Sequence, residues 1–171
     1  MFQLIEAIEN SGFATWVRES PSLLAYTSIL ALHAMGLAIV VGLSTAIALR
    51  LLGVAPGIPL APARKFFPLM YIGFWVNALS GLALLAASAS GMLANPVFFV
   101  KLGFIALGVL TMRLLRNRVF SDTQLQLLGS GAAVPASARM LAIASLVCWG
   151  GALIAGRLTA YPYLISYYLG I

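Results

Sequence analysis

The chain of 171 residues is 62% hydrophobic and only 8% charged, with ten Lys+Arg against four Asp+Glu and a mean hydropathy of +1.03. A soluble domain carries about 25% charged residues, so this composition excludes a water-soluble globule, and the same shortage of charge excludes intrinsic disorder. A single cysteine leaves no disulfide framework, and a single histidine leaves no zinc site of ordinary spacing.

Residues 1–20 lack a basic start, and Glu6 and Glu9 interrupt what would be the apolar stretch of a secretory signal. Phe2, Ile5, Ile8, Phe13, Trp16 and Val17 instead fit one side of a short amphipathic helix lying in the membrane surface, with Trp16 at headgroup level. Four runs then reach the ~20 apolar residues that a helix needs to cross the hydrocarbon core: 23–52, 66–89, 96–115 and 140–164. Proline and glycine separate them, at Gly53, Pro56, Gly57 and Pro59 after the first run and at Gly129-Ser130-Gly131 before the fourth. Asn95-Pro96 predicts a helix start, with Asn95 as the cap and Pro96 in the first helical position. No alternating barrel strands occur, and backbone polar groups in lipid must be satisfied internally, so the spans are helices. The expected fold is all-α: one integral membrane domain over 1–171, a four-helix bundle preceded by an interfacial helix. Tyr161, Tyr163, Tyr167 and Tyr168 read as an outer aromatic belt, with Pro162 ending or kinking the last span.

Seven of the ten basic residues (Arg50, Arg64, Lys65, Arg113, Arg116, Arg118 and Arg139) fall in or beside the two segments that join spans one to two and three to four. The positive-inside rule places those segments in the cytoplasm and both termini outside, in a multi-pass protein of a bacterial inner membrane. The net charge of +6 is thereby a topology signal. With no basic face interleaved with aromatics, no nucleic-acid partner is expected.

Ionisable groups inside spans are costly and point to function by default. His33 lies in the first span, roughly 15 Å below its outer end. Lys101 and Arg157 lie roughly 7 and 9 Å below the outer ends of the third and fourth spans. Asn77 shares the level of His33, and no carboxylate within a span answers the two cations. Gly36, Gly73, Gly81, Gly108 and Gly150 recur near these positions at helical spacing, suiting either close helix approach or a flat ligand. Haem b fits the pattern: His33 as iron ligand at mid-bilayer, Lys101 and Arg157 on the propionates. A lone histidine then requires five-coordination, a methionine such as Met35, Met70 or Met112, or a histidine from another subunit. A quinone is the second cofactor the pattern suits. Against these stand plainer readings. His33 can serve as a helix–helix hydrogen-bonding residue, to Asn77 or Ser80. Lys101 and Arg157 can snorkel to the interface or pair with Glu6, Glu9 or Glu19, and Cys148 can act as a packing residue.

Several stretches carry a resemblance: Leu32-His33-Ala34-Met35-Gly36-Leu37, Gly42, Leu49-Arg50-Leu51-Leu52-Gly53, Gly81-Leu82-Ala83-Leu84-Leu85, Asn95-Pro96 with Lys101-Leu102, and Gly156-Arg157-Leu158-Thr159-Ala160-Tyr161. Together they resemble an uncharacterised family of bacterial four-helix inner-membrane proteins, over nearly the whole chain. The helix pattern is also similar to copper-resistance membrane domains and haem-binding four-helix cytochromes. Where that family often carries an acid one turn before the first-helix histidine and a second histidine near the inner end of helix three, this chain has Leu30 and Arg116.

The expected function is cofactor binding, haem b or quinone, at an outward-facing site of His33, Asn77, Lys101 and Arg157. It would serve electron transfer with a periplasmic or membrane redox partner. The rivals are a non-catalytic subunit that anchors a larger membrane complex, and a small transporter of a metal ion or organic anion. Glycine-rich faces favour a homo-oligomer or a larger complex. No nucleophile–base pair suggests a hydrolytic enzyme.

Overall fold

The computed structural model describes residues 2–54, 56–121 and 134–161. Seven α-helices occur among them: α1 (Phe2–Glu9), α2 (Gly12–Glu19), α3 (Tyr26–Leu52), α4 (Phe66–Ala87), α5 (Ala89–Ala94), α6 (Pro96–Leu114) and α7 (Ala136–Leu158), with no strand. A 3-10 turn over Ala61–Lys65 leads into α4, and a π turn over Leu115–Val119 extends α6. With these extensions, four helices are long and apolar enough to cross a membrane. Their outer faces confirm the solvent they are built for. On α4, Ile72, Trp75, Leu79 and Leu82 recur at helical spacing and are 59–62% exposed, an apolar face that suits lipid and not water. The chain is a multi-pass membrane protein.

The helix ends follow local chemistry. Asn95 caps α6 as expected, its side chain accepting from the Val97 N–H at 3.0 Å, and Pro96 occupies the first turn where no donor is missed. Gly53 closes α3 with φ of 91°, a left-handed conformation that glycine adopts without the Cβ penalty. Arg50, in the last turn of α3, is 7% exposed and its Nε donates to the Ile58 carbonyl, so it pins the following segment. The last span begins at Ala136, a turn earlier than the apolar run implied, because Pro135 opens it; its helix ends at Leu158. Pro162, Tyr163, Tyr167, Tyr168 and the Gly129-Ser130-Gly131 break lie outside the described residues.

The single interfacial helix expected over 1–20 is two. Asn10 and Ser11 interrupt it, and Ser11 caps α2 by accepting from Ala14 N–H at 3.3 Å. The break rotates α2, so Val17 is buried with Ala14 against the bundle while Ile8, Phe13 and Trp16 remain exposed. Glu6, Glu9 and Glu19 do not pair with Lys101 or Arg157. Glu9 accepts from the Ser90 N–H at 3.1 Å, and Glu19 pairs with Arg18 at 3.1 Å. Arg18 also donates to the carbonyls of Glu9 and Ala87, both at 3.3 Å. The N-terminal pair is thus tied to the α4–α5 corner.

The bonds from Ser90, and secondarily the Arg18 charge, hold the Glu9 carboxyl below the usual carboxylate range. A depressed carboxylate pKa contributes attachment at neutral pH that is lost as pH falls through the folded value. A nitroxide on Ala7→Cys, in a Cys148→Ala background, is expected to gain mobility only as pH falls below the ordinary glutamate range. In Glu9→Gln that pH dependence should vanish.

Within the bundle, α3 packs along α4 and α7, and α7 along α6, whereas the backbones of α4 and α6 scarcely approach. The four spans form a ring whose α4–α6 side is closed by side chains at the basic end and is loosely packed beyond it. A large apolar cluster fills the end that carries the basic loops, where Phe67 and Phe120 meet edge-on at 5.2 Å among Leu51, Met70, Met112 and Leu115. A smaller cluster of Val40, Trp149 and Ala152, with Phe74, Phe104 and Ile105 packed on it, follows toward the other end. The cavity described next opens beside this second cluster.

Candidate functional site

The site begins with a close helix crossing. A Cβ on Gly36 would stand 2.6 Å from the Asn77 nitrogen and 2.6 Å from the Gly73 carbonyl oxygen, so α3 and α4 approach through bare backbone. That proximity lets Asn77 reach across, its Nδ2 donating to the His33 carbonyl at 2.7 Å. In return His33 Nδ1 lies 2.9 Å from the Asn77 carbonyl and 3.3 Å from Ser80 Oγ. A carbonyl only accepts, so Nδ1 carries the proton. In the neutral ring Nε2 then holds the lone pair, and it makes no hydrogen bond among the described residues. Ser80 Oγ spends its own proton on the Val76 carbonyl at 2.6 Å, keeping its oxygen turned to the imidazole. The ring is seated on Gly81, where a Cβ would lie 3.0 Å from His33 Cε1.

His33 and Asn77 face a cavity of about 320 Å³ to which all four spans contribute, and Lys101 and Arg157 share its lining. The four residues singled out from the sequence therefore surround one space. The remaining wall is apolar, drawn from Leu37, Val40, Phe74, Ile105, Ala152 and Leu153. The two cations differ. Arg157 is exposed at the rim, its Nη2 donating to Tyr161 Oη at 2.6 Å with the guanidinium 4.9 Å from the ring centroid. Lys101 is half-buried, its Nζ 3.9 Å from the position of a Cβ on Gly156, and it makes no hydrogen bond or ion pair among the described residues. No carboxylate lines the cavity. An ammonium so placed in low dielectric favours an oxygen acceptor or an anion brought by a ligand.

The packing decides between the two readings of the span glycines at Gly108 and corrects the choice of Gly150. Gly108 serves close approach, because a Cβ there would stand 2.9 Å from Trp149 Cε2. A Cβ on Gly150 would meet nothing within 4 Å; one on its neighbour Gly151 would stand 2.6 Å from Phe104 Cε1, so Gly151 makes the close approach. None of Met35, Met70 and Met112 lines the cavity. Met35 is 60% exposed, and Met70 and Met112 belong to the cluster at the basic end. Among the described residues no group of three or more His, Cys, Asp and Glu side chains is placed to hold a metal ion. Trp149 was missed altogether. It lines the cavity at 3% exposure and its indole N–H has no partner among the described residues, yet hydropathy marks it only as one more apolar residue of a span.

The fold and site together define a four-span membrane protein with a central, cation-bearing cavity in one half of its bundle. Compared with protein-family models, curated proteins and solved structures, the chain matches none.

Proposed function

We propose that this cavity binds the head group of a lipid-soluble quinone or quinol, making the chain a quinone-binding component of membrane electron transfer. The observation that carries this reading is the pairing, on one apolar cavity, of an imidazole Nε2 and a Lys101 ammonium that have no partner among the described residues. A quinol hydroxyl donates to His33 Nε2, while a ring oxygen accepts from Lys101 Nζ. A bound quinone supplies two-electron, two-proton chemistry; the chain's part is to hold the ring, keep water away from it and offer Nε2 as a proton acceptor. The volume of about 320 Å³ lies at the lower end of the range for small-ligand sites (~300–1,000 Å³), which suits one substituted ring.

Haem b is the second reading. It is favoured by Nδ1–H bonding to a backbone carbonyl, the usual orienting partner of a metal-bound histidine. A porphyrin fits this cavity less well, since it is larger than a quinone ring and none of the methionines considered as a second axial ligand lies on the lining. By the positive-inside rule, the seven cations of the joining segments support a cytoplasmic position for that end and an outer-half position for the site in a bacterial inner membrane, in keeping with the four-helix family that the sequence resembles.

Tetramethylbenzoquinone, which has no tail, tests the reading. In a Trp16→Phe, Trp75→Phe background Trp149 is the remaining tryptophan, and its emission should be quenched saturably as the ring enters. Quenching that rises linearly without saturation would show collisional encounter and contradict a site.

A further inference from the structure

We infer that the loosely packed side of the ring, between α4 and α6, is a lateral portal by which a tailed ligand enters from lipid, and that its apolar tail lies in the portal. The inference rests on the quinone reading for the head group. Its own support comes from how the helices meet.

In a closed four-helix ring each span touches two neighbours. Here α3–α4, α3–α7 and α6–α7 pack along their backbones, whereas α4 and α6 meet mainly through side chains at the basic end, where Phe67 touches Phe120 and Met70 shares a cluster with Met112. A second, smaller cavity of about 70 Å³ lies along that side. It is lined by Gly81, Leu84 and Leu85 of α4, Met92 of α5, Phe98 and Lys101 of α6, and His33 of α3. His33 and Lys101 therefore border both cavities. Apart from the imidazole and the ammonium, the lining of the smaller cavity is apolar. A ligand that crosses this wall needs a polar head for that pair and a hydrocarbon tail for Leu84, Leu85 and Phe98. A water-soluble solute would find no polar side chain in the seam besides those two. Gly81 suits both roles: without a Cβ it seats the His33 ring and leaves the smaller cavity open beside it. The two side chains shared with the head-group cavity favour a ligand tail as occupant over a helix from a second copy.

Equilibrium binding to the purified chain in nanodiscs, with two probes, tests the inference. Tetramethylbenzoquinone reads the head group alone, and a decyl-tailed benzoquinone reads head and tail. Affinities are expressed against each probe's concentration in the bilayer, so that partitioning into lipid does not count. A tail that leaves lipid for the seam gains packing contacts and not water-to-apolar transfer, and the tailed probe is expected to bind severalfold tighter to the native chain. Leu84→Trp fills the smaller cavity and should erase that advantage while leaving the tail-less probe's affinity unchanged. Leu84→Phe, a smaller insertion, should reduce it in the same direction. Equal affinities in the native chain, or an advantage that survives both substitutions, would overturn the portal while leaving head-group binding intact. Failure of both probes to bind would overturn the quinone reading itself, and the portal with it. A stable dimer that Leu84→Trp dissociates would assign the seam to a second copy.

Discussion

Gly36→Val is expected to lower the melting temperature of the purified protein by about 2–12 °C, read by thermal unfolding in detergent. The Cβ alone would stand 2.6 Å from two backbone atoms of α4, and backbone cannot rotate away as a side-chain tip can. Overpacking of this kind costs about 1–3 kcal/mol, and a chain of this size loses about 2–4 °C per kcal/mol. The same substitution also prises Asn77 from His33, because both hydrogen bonds between them cross the Gly36 contact. Gly42 supplies the control. It lies on the same helix with nothing within 4 Å of its would-be Cβ, so Gly42→Ala should hold or slightly raise the melting temperature, since alanine is the better helix former by up to about 1 kcal/mol. Equal losses at both positions would mean that the α3–α4 crossing is not what the glycine is for.

Lys101→Met is the second large effect, on ligand affinity instead of stability. A hydrogen bond to a charged group contributes about 1.5–3 kcal/mol, so removing the ammonium while keeping a stem of similar length should weaken tetramethylbenzoquinone binding by about 10–150-fold. His33→Ala should weaken it in the same direction by removing the Nε2 acceptor. Arg157→Gln is expected to do much less, because its guanidinium sits exposed at the rim and is already engaged by Tyr161. Titration of Trp149 quenching in the three variants ranks them. If Arg157→Gln proved the most damaging, the ligand's polar end would lie at the rim and not beside the imidazole.

Reading the sequence by hydropathy located the spans well, because the lipid phase demands long apolar runs whatever they pack against. Asn95-Pro96 was equally legible, since capping depends on neighbours a few residues apart. The depth argument brought His33 and Asn77 to one level, where they exchange hydrogen bonds, and each site residue chosen on polarity lines the same cavity. What was not legible depends on rotation about the helix axes. Every face of these spans is apolar, inside and out, so no stripe says which side turns inward. Trp149, the partner of each glycine and the loosely packed α4–α6 side all follow from such rotations. The single N-terminal helix failed for a local reason: Ser11 competes for the backbone as a cap, and a pattern of apolar residues alone carries no record of that competition.

The most direct measurement is the quinone content of the protein as it comes out of its own membrane. Purified in mild detergent from the host and extracted with organic solvent, the native chain should yield up to one lipid-soluble quinone per chain and show no Soret band, and Lys101→Met and His33→Ala should yield far less. A preparation free of quinone, or one whose quinone content is unchanged in both variants, would contradict the assignment of this cavity to a quinone head group.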